Sequence, residues 1–75
     1  MLDALVVGKV IQDYREYKRM SQEVLSGLAD IARTHLSAIE RGERRPTLDT
    51  FFKICQAMEV NASDLMRIIE SRITK

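Results

Sequence analysis

Apolar side chains recur at intervals of three and four residues along most of the chain, which is the pattern of amphipathic α-helices. In the first such segment, residues 5–18, charged side chains such as Lys9, Asp13 and Glu16 fall on the other face. The apolar positions of this segment are Val7, Val10, Ile11, Tyr14 and Tyr17. Four more segments of this kind follow, and none shows the alternation of a strand. The pattern therefore predicts an all-α domain of five helices.

Residues that favour helix ends set the limits of the second helix. Ser21 is a good N-cap for a helix over residues 22–29, because its hydroxyl can accept a hydrogen bond from an orphan amide of the first turn. Gly27 costs this helix about 1 kcal/mol relative to alanine, so we expect another helix to cross closely there. Asp30 follows where the chain must turn, and aspartate tolerates positive φ better than most residues.

The third helix, over about residues 32–41, is short, and the residues that follow it favour helix termination. Gly42 is a natural C′ residue, and Pro46 disfavours helical conformation in the residue before it. Thr47 or Asp49 then caps a fourth helix. The apolar stripe of that helix, assigned to the core, is Leu48, Phe51, Ile54, Cys55 and Met58. The position of the cysteine on this stripe favours a packing role over a redox sensor, because free cysteine is among the most buried residue types.

A fifth helix, over about residues 62–73, begins near Asn61 or Ser63 and carries more apolar side chains than so small a core can take. They are Leu65, Met66, Ile68, Ile69 and Ile73. In one interpretation, Leu65 with Ile68 or Ile69 completes the core and the remainder is a frayed terminus. We favour a second interpretation, in which this helix packs against its copy across a two-fold axis. Three residues near the N-terminus are candidates to join that interface: Leu2, Leu5 and Val6.

The third helix offers a polar face to the outside. At about 100° per residue, Leu36 and Ile39 share the inner face of this helix. The outer positions are Thr34, Ser37, Ala38 and Arg41, with Arg33 and His35 beside them near the helix N-terminus. Three arginines, at positions 41, 44 and 45, concentrate positive charge at the end of the helix. A polar helix that its neighbour holds in place is suited to enter the major groove of DNA.

Composition narrows the classes of function. A chain of 75 residues forms one small domain, in which a deep substrate cavity would compete with the core for apolar side chains. Its 12 basic residues nearly balance its 11 acidic ones, so overall charge does not identify the partner. No catalytic or phosphate-loop motif is present, and His35 has no second ligand for a metal, so we expect neither an enzyme nor a cofactor or metal site.

Location is inferred from the cysteine count and the start of the chain. The single cysteine, Cys55, cannot form an internal disulfide, and no signal segment opens the chain, so we expect a cytoplasmic protein. The apolar run over residues 2–7 is interrupted by Asp3 and is far shorter than the roughly 20 residues of a membrane span. We therefore expect no membrane association.

Several stretches at ungapped spacing carry a family resemblance over nearly the whole chain. They are Gly8-Lys9-Val10-Ile11 through Arg15, Ser21-Gln22-Glu23 with Leu25, Leu36-Ser37-Ala38-Ile39-Glu40-Arg41-Gly42, Pro46-Thr47-Leu48, and Met58-Glu59-Val60 followed by Leu65. In these stretches the chain resembles the Xre (Cro/CI-type) helix-turn-helix transcriptional regulators. The recognition region, residues 33–42, is similar to that of small restriction-modification controller proteins. The resemblance implies a compact lambda-repressor-like domain over residues 1–75, with the helix-turn-helix at about 21–41.

The resemblance also implies roles for individual residues. Arg33, Thr34 and His35 fall on positions that reach base edges. Ala38 stands where relatives carry a long polar side chain, so the contact that remains possible there is with a thymine methyl. Gln22 matches a glutamine that bonds a phosphate and braces the start of the recognition helix. The candidates for phosphate contacts are Ser21, Gln22, Ser37, Arg41, Arg44 and Arg45. Arg15 and Glu40 occupy the positions of a mostly buried structural ion pair.

The expected function is a homodimeric regulator that binds a palindromic operator in double-stranded DNA through helix 32–41. The controller proteins that the chain resembles are single-domain dimers. Occupancy of the operator would repress or autoregulate transcription. An alternative from another class is an antitoxin-like or interaction module, in which the fifth helix binds a protein partner. In that case, changes at Leu65, Ile69 or Ile73 would matter more than changes at Arg33.

Overall fold

The computed structural model describes residues 2–73 and contains five helices and no strand within that range. The helices are α1 (Ala4–Tyr17), α2 (Gln22–Ala29), α3 (Arg33–Glu40), α4 (Leu48–Ala57) and α5 (Ala62–Ile73). Helix α1 packs against α3 and α5, α2 packs against α3 and α4, and α4 packs against α5. The predicted all-α, five-helix fold is confirmed.

The helix ends are set by the side chains that the sequence indicated. The Ser21 hydroxyl accepts a hydrogen bond of 3.0 Å from the Val24 amide at the start of α2. Thr47, rather than Asp49, caps α4, because the Thr47 hydroxyl accepts a bond of 3.0 Å from the Thr50 amide. Asp30 has φ 58° and Gly42 has φ 78°, so both helix-ending turns use the left-handed conformation.

One core joins all five helices. Its fully buried large side chains include Ile11, Leu25, Leu36, Ile54 and Met58. Cys55 is buried there as predicted, and burial raises the pKa of its thiol to about 11. Two residues on the predicted apolar faces are exposed: Tyr17 of the first helix at 76%, and Leu48, which was assigned to the core, at 82%. Both lie at helix ends, Tyr17 as the last residue of α1 and Leu48 as the first residue of α4, and neither end is covered by another part of the described chain.

The close helix crossing lies at Gly8, so the expectation that it lies at Gly27 is wrong. A Cβ atom at Gly8 would lie 2.2 Å from the carbonyl oxygen of Ile39 and 2.7 Å from that of Glu40. A Cβ atom at Gly27 would meet nothing within 4 Å. Because Gly8 has no side chain, α1 contacts the backbone of α3 directly. This contact sets the distance between the two helices.

Helix α5 divides its apolar residues differently from the expectation. Leu65 and Ile69 are fully buried in the core of their own chain, so neither presents a surface to another molecule. Their assignment to a dimer interface is therefore corrected. Met66 and Ile73 pack partly buried against the core, and Ile68 is 36% exposed. No helix among residues 2–73 is both long enough and apolar enough to cross a membrane.

Candidate nucleic-acid interface

A three-residue connection fixes the angle between α2 and α3. After the left-handed Asp30, the Ile31 amide donates a hydrogen bond of 3.0 Å to the Ser26 carbonyl, which closes the end of α2. The Ile31 side chain packs against the core, and Ala32 then enters α3 in extended conformation. The turn is anchored by backbone and core contacts, so α3 is held as a rigid unit beside α2.

The inner face of α3 is held by apolar packing and by one buried ion pair. Leu36 and Ile39 are fully buried, and Glu40 is 7% exposed. The guanidinium of Arg15 donates two hydrogen bonds to the Glu40 carboxylate, at 2.7 and 3.0 Å, and a third of 2.8 Å to the Met20 carbonyl. The hydrogen bond to Glu40 raises the pKa of Arg15. The structure thus contains the expected ion pair between α1 and the end of α3.

Gln22 extends this buried pair to the start of α3. Its amide nitrogen donates a hydrogen bond of 2.9 Å to the Glu40 carboxylate, and its amide oxygen accepts one of 3.4 Å from Arg33. A continuous chain of contacts therefore runs from Arg15 through Glu40 and Gln22 to the guanidinium of Arg33. Gln22 thus contacts the first and last residues of α3, while its bracing role and its contact with a phosphate stay predictions.

The outer face of α3 carries the four candidates for base contacts. Arg33 and Thr34 are exposed, and His35 and Ala38 are partly exposed. No acidic residue lies in the first turn, and Ala32 gives no side-chain cap. The first amides of α3, together with the positive end of the helix dipole, are thus available to an anion. This end of α3 is suited to approach a phosphate backbone and the groove beside it.

The basic residues after α3 differ in their surroundings. Arg41 donates hydrogen bonds of 3.0 Å from Nε and Nη2 to the two carboxylate oxygens of Glu43, and a further bond to the Ser37 hydroxyl. Their hydrogen bond raises the pKa of Arg41 and lowers that of Glu43. Arg45 donates a bond of 3.2 Å to the Leu2 carbonyl, and Arg44, the residue before it, is exposed.

Sequence reasoning missed the role of Glu43, although the residue was visible between Arg41 and Arg44. Spacing of two residues does not bring side chains together on a helix. The contact arises because Gly42 leaves the helix in left-handed conformation, and the Glu43 amide bonds the Ala38 carbonyl at 2.9 Å. The predicted glycine turn was thus the signal that could have placed Glu43 beside Arg41. Among residues 2–73, no group of side chains is arranged to hold a metal ion.

Known proteins share this arrangement. A family model described as helix-turn-helix matches residues 11–65. The control protein C.BamHI from Bacillus amyloliquefaciens is 41% identical over 63 residues, covering 83% of this chain and 78% of that protein. The wild-type restriction-modification controller protein C.Esp1396I has 29% identity and a TM-score of 0.90, over 100% of this chain and 99% of that one.

A second structure of the same controller shows it with DNA. C.Esp1396I as a tetramer in complex with its natural 35 base-pair operator matches with a TM-score of 0.89 and 29% identity, over 100% of this chain and 99% of that one. The matched residues of the family model include α2, the turn and α3, whose geometry is described above. This chain belongs to the Xre (Cro/CI-type) helix-turn-helix family, and its relatives include restriction-modification control proteins.

Proposed function

We propose that this chain is a controller-type transcriptional regulator that binds a two-fold symmetric operator in double-stranded DNA as a homodimer. The observation that carries the proposal is the division of α3 into two faces. Leu36, Ile39 and Glu40 fix the helix to the rest of the domain, while Arg33 and Thr34 project from its exposed N-terminal turn. A rigid helix whose first turn is free can place those side chains against base edges.

Arg33 is the principal base-reading residue in this proposal. The amide oxygen of Gln22 accepts its hydrogen bond at 3.4 Å, which restricts the arginine side chain before DNA arrives. A guanidinium can donate two hydrogen bonds to O6 and N7 of guanine, a contact that discriminates against other bases by about 1–3 kcal/mol. Thr34 and His35 read neighbouring positions, and the methyl group of Ala38 contacts a thymine methyl.

The phosphate contacts come from both ends of the helix-turn-helix. The proposed residues are Ser21, Gln22, Ser37, Arg41, Arg44 and Arg45. They fix the register of the protein on the duplex, and each cationic contact releases a counterion. The regulator then acts by occupying its operator, so the proposal requires neither a catalytic step nor a cofactor.

Dimerisation uses an apolar surface at the junction of α4 and α5, here called the α4–α5 patch and defined by Leu48, Phe52 and Met66. Leu48 is 82% and Phe52 is 53% exposed, and the three side chains line one groove. Leu2 adjoins the patch through a neighbouring groove that also contains Leu48 and Met66. An exposed apolar surface of this kind is suited to a two-fold contact, which would place two α3 helices about 34 Å apart on the duplex.

The proposal is tested by selecting bound sequences from random duplex DNA. The wild-type protein is compared with Arg33→Ala and with Lys53→Ala, which removes the same charge from an exposed position on α4. We expect the wild type and Lys53→Ala to enrich the same inverted repeat, and Arg33→Ala to lose the preference at one base pair of each half-site. Circular dichroism establishes that all three proteins are folded.

Two results would overturn the proposal. If the wild type enriches no sequence even at low salt, α3 does not read DNA, and attention turns to a protein partner. If Arg33→Ala enriches the unchanged repeat, Arg33 is not the base-reading residue.

A further inference from the structure

The ion pair between Arg41 and Glu43 lies on the surface proposed to meet DNA. Arg41 directly follows α3, and its guanidinium reaches back to the hydroxyl of Ser37 on the outer face of that helix. Both carboxylate oxygens of Glu43 accept a hydrogen bond of 3.0 Å from the same guanidinium. The two side chains are 55% and 60% exposed, so the pair faces solvent where a phosphate would approach.

The backbone holds Glu43 in this position. Gly42 adopts φ 78°, and a Cβ atom there would lie 2.6 Å from the side chain of Leu5, so the turn is packed against α1. The amides of Gly42 and Glu43 bond the carbonyls of Ile39 and Ala38 at 3.0 and 2.9 Å. Glu43 is therefore brought to Arg41 by a fixed turn rather than by a chance encounter of two long side chains.

A carboxylate in this geometry competes directly with DNA. Parallel hydrogen bonds from a guanidinium suit a carboxylate and a phosphate equally well. While Glu43 occupies Arg41, the two charges cancel and little net attraction to a phosphate remains. A duplex that is attracted by charge alone does not place a phosphate oxygen at a fixed position beside the guanidinium of Arg41. A duplex docked against α3 presents a phosphate at a fixed place and can displace the carboxylate.

We propose that Glu43 is an affinity-setting residue, which masks Arg41 in the free protein and thereby weakens DNA binding, because a phosphate must displace its carboxylate before it can engage Arg41. The inference rests on the proposed DNA-binding function. Non-specific binding is supplied essentially by phosphate electrostatics. Masking Arg41 therefore lowers the affinity for a random duplex, and it lowers operator affinity at least as much, because docking on the operator includes breaking the ion pair.

The test compares Glu43→Gln with Glu59→Gln, which makes the same change of charge at an exposed residue after α4. Affinities for a random-sequence duplex and for the selected operator are measured by fluorescence anisotropy over a range of salt concentrations. We expect Glu43→Gln to strengthen random-duplex binding by up to about fivefold, the scale of an exposed ion pair. The salt slope should steepen by about 0.9, the value of one phosphate contact. Operator binding should strengthen at least as much.

A double variant separates masking from simple repulsion between Glu43 and DNA. If Glu43 acts through Arg41, Glu43→Gln has no effect in an Arg41→Ala background. An undiminished gain in that background would overturn the proposal, as would equal gains for Glu43→Gln and Glu59→Gln, or a gain for random DNA that exceeds the gain for the operator. The random-duplex measurement needs no operator, so masking can be judged even if the wild type selects no sequence.

Discussion

The contact between α1 and α3 at Gly8 predicts that a single added methyl group will destabilise the whole domain. In Gly8→Ala, the new Cβ would lie 2.2 Å from the Ile39 carbonyl oxygen and 2.9 Å from the Glu40 carbonyl carbon. Carbon–oxygen contacts are normally about 3.3 Å or longer. Because both obstructing groups are backbone, no change of rotamer relieves the overlap, and the two helices must separate by roughly 1 Å.

The size of the effect follows from that displacement. A gap of about 0.5–1 Å forfeits a quarter to a half of the dispersion energy of each affected contact, and overpacking of a core costs about 1–3 kcal/mol. We expect a cost at the upper end, about 3 kcal/mol, because the whole α1–α3 contact must move. Alanine regains about 1 kcal/mol of helix propensity. The net loss of about 2 kcal/mol lowers the melting temperature by roughly 8–16 °C.

Gly27→Ala is the matched control, because it makes the same chemical change in a helix with open space around the new atom. Alanine there stabilises α2 by about 0.5–1 kcal/mol, which raises the melting temperature by roughly 2–8 °C. Thermal unfolding followed by circular dichroism at 222 nm, a standard helix wavelength, measures both variants. Shifts of opposite sign are expected. A Gly8→Ala protein at least as stable as the wild type would refute the assignment of the helix crossing to Gly8.

Two further predictions concern the ion pair and the dimer. Glu40→Ala leaves a buried guanidinium without its partner and should lower the free energy of unfolding by about 3–5 kcal/mol in urea; unchanged stability with lost DNA binding would instead make Glu40 a DNA contact. Leu48→Ser combined with Phe52→Ser should convert the proposed dimer to a folded monomer in sedimentation velocity and weaken operator binding, since one half-site is then bound at a time. A double variant that remains dimeric would move the interface away from the α4–α5 patch.

Local chemistry made most of the fold predictable. Ser21, Asp30 and Gly42 each mark a helix boundary through their own side chain or backbone freedom, and all three perform that role in the structure. Helical periodicity identified the buried faces where a helix has neighbours along its length. It failed at Leu48, in the first turn of α4, because periodicity gives the direction of a side chain but not whether another part of the chain covers that position.

Contacts between distant segments were less predictable. Nothing in the sequence around Gly8 or Gly27 tells which glycine faces another helix, because that depends on how α1 and α3 cross. The fifth helix was misassigned for a similar reason. The number of apolar residues on α5 suggested that the core had no room for all of them, but it did not show which ones are buried. Only the packing of α5 against α1 and α4 shows that Leu65 and Ile69 lie in the core.

The two faces of α3 have a consequence for how such regulators diverge. The side chains that fix the helix, Leu36, Ile39 and Glu40, are separate from Arg33 and Thr34, which contribute little to the core. Replacements at the outer positions can therefore change the preferred operator while leaving the free energy of folding nearly constant. Two duplicated copies of such a gene can therefore come to encode regulators that prefer different operators, while the protein still folds after each replacement.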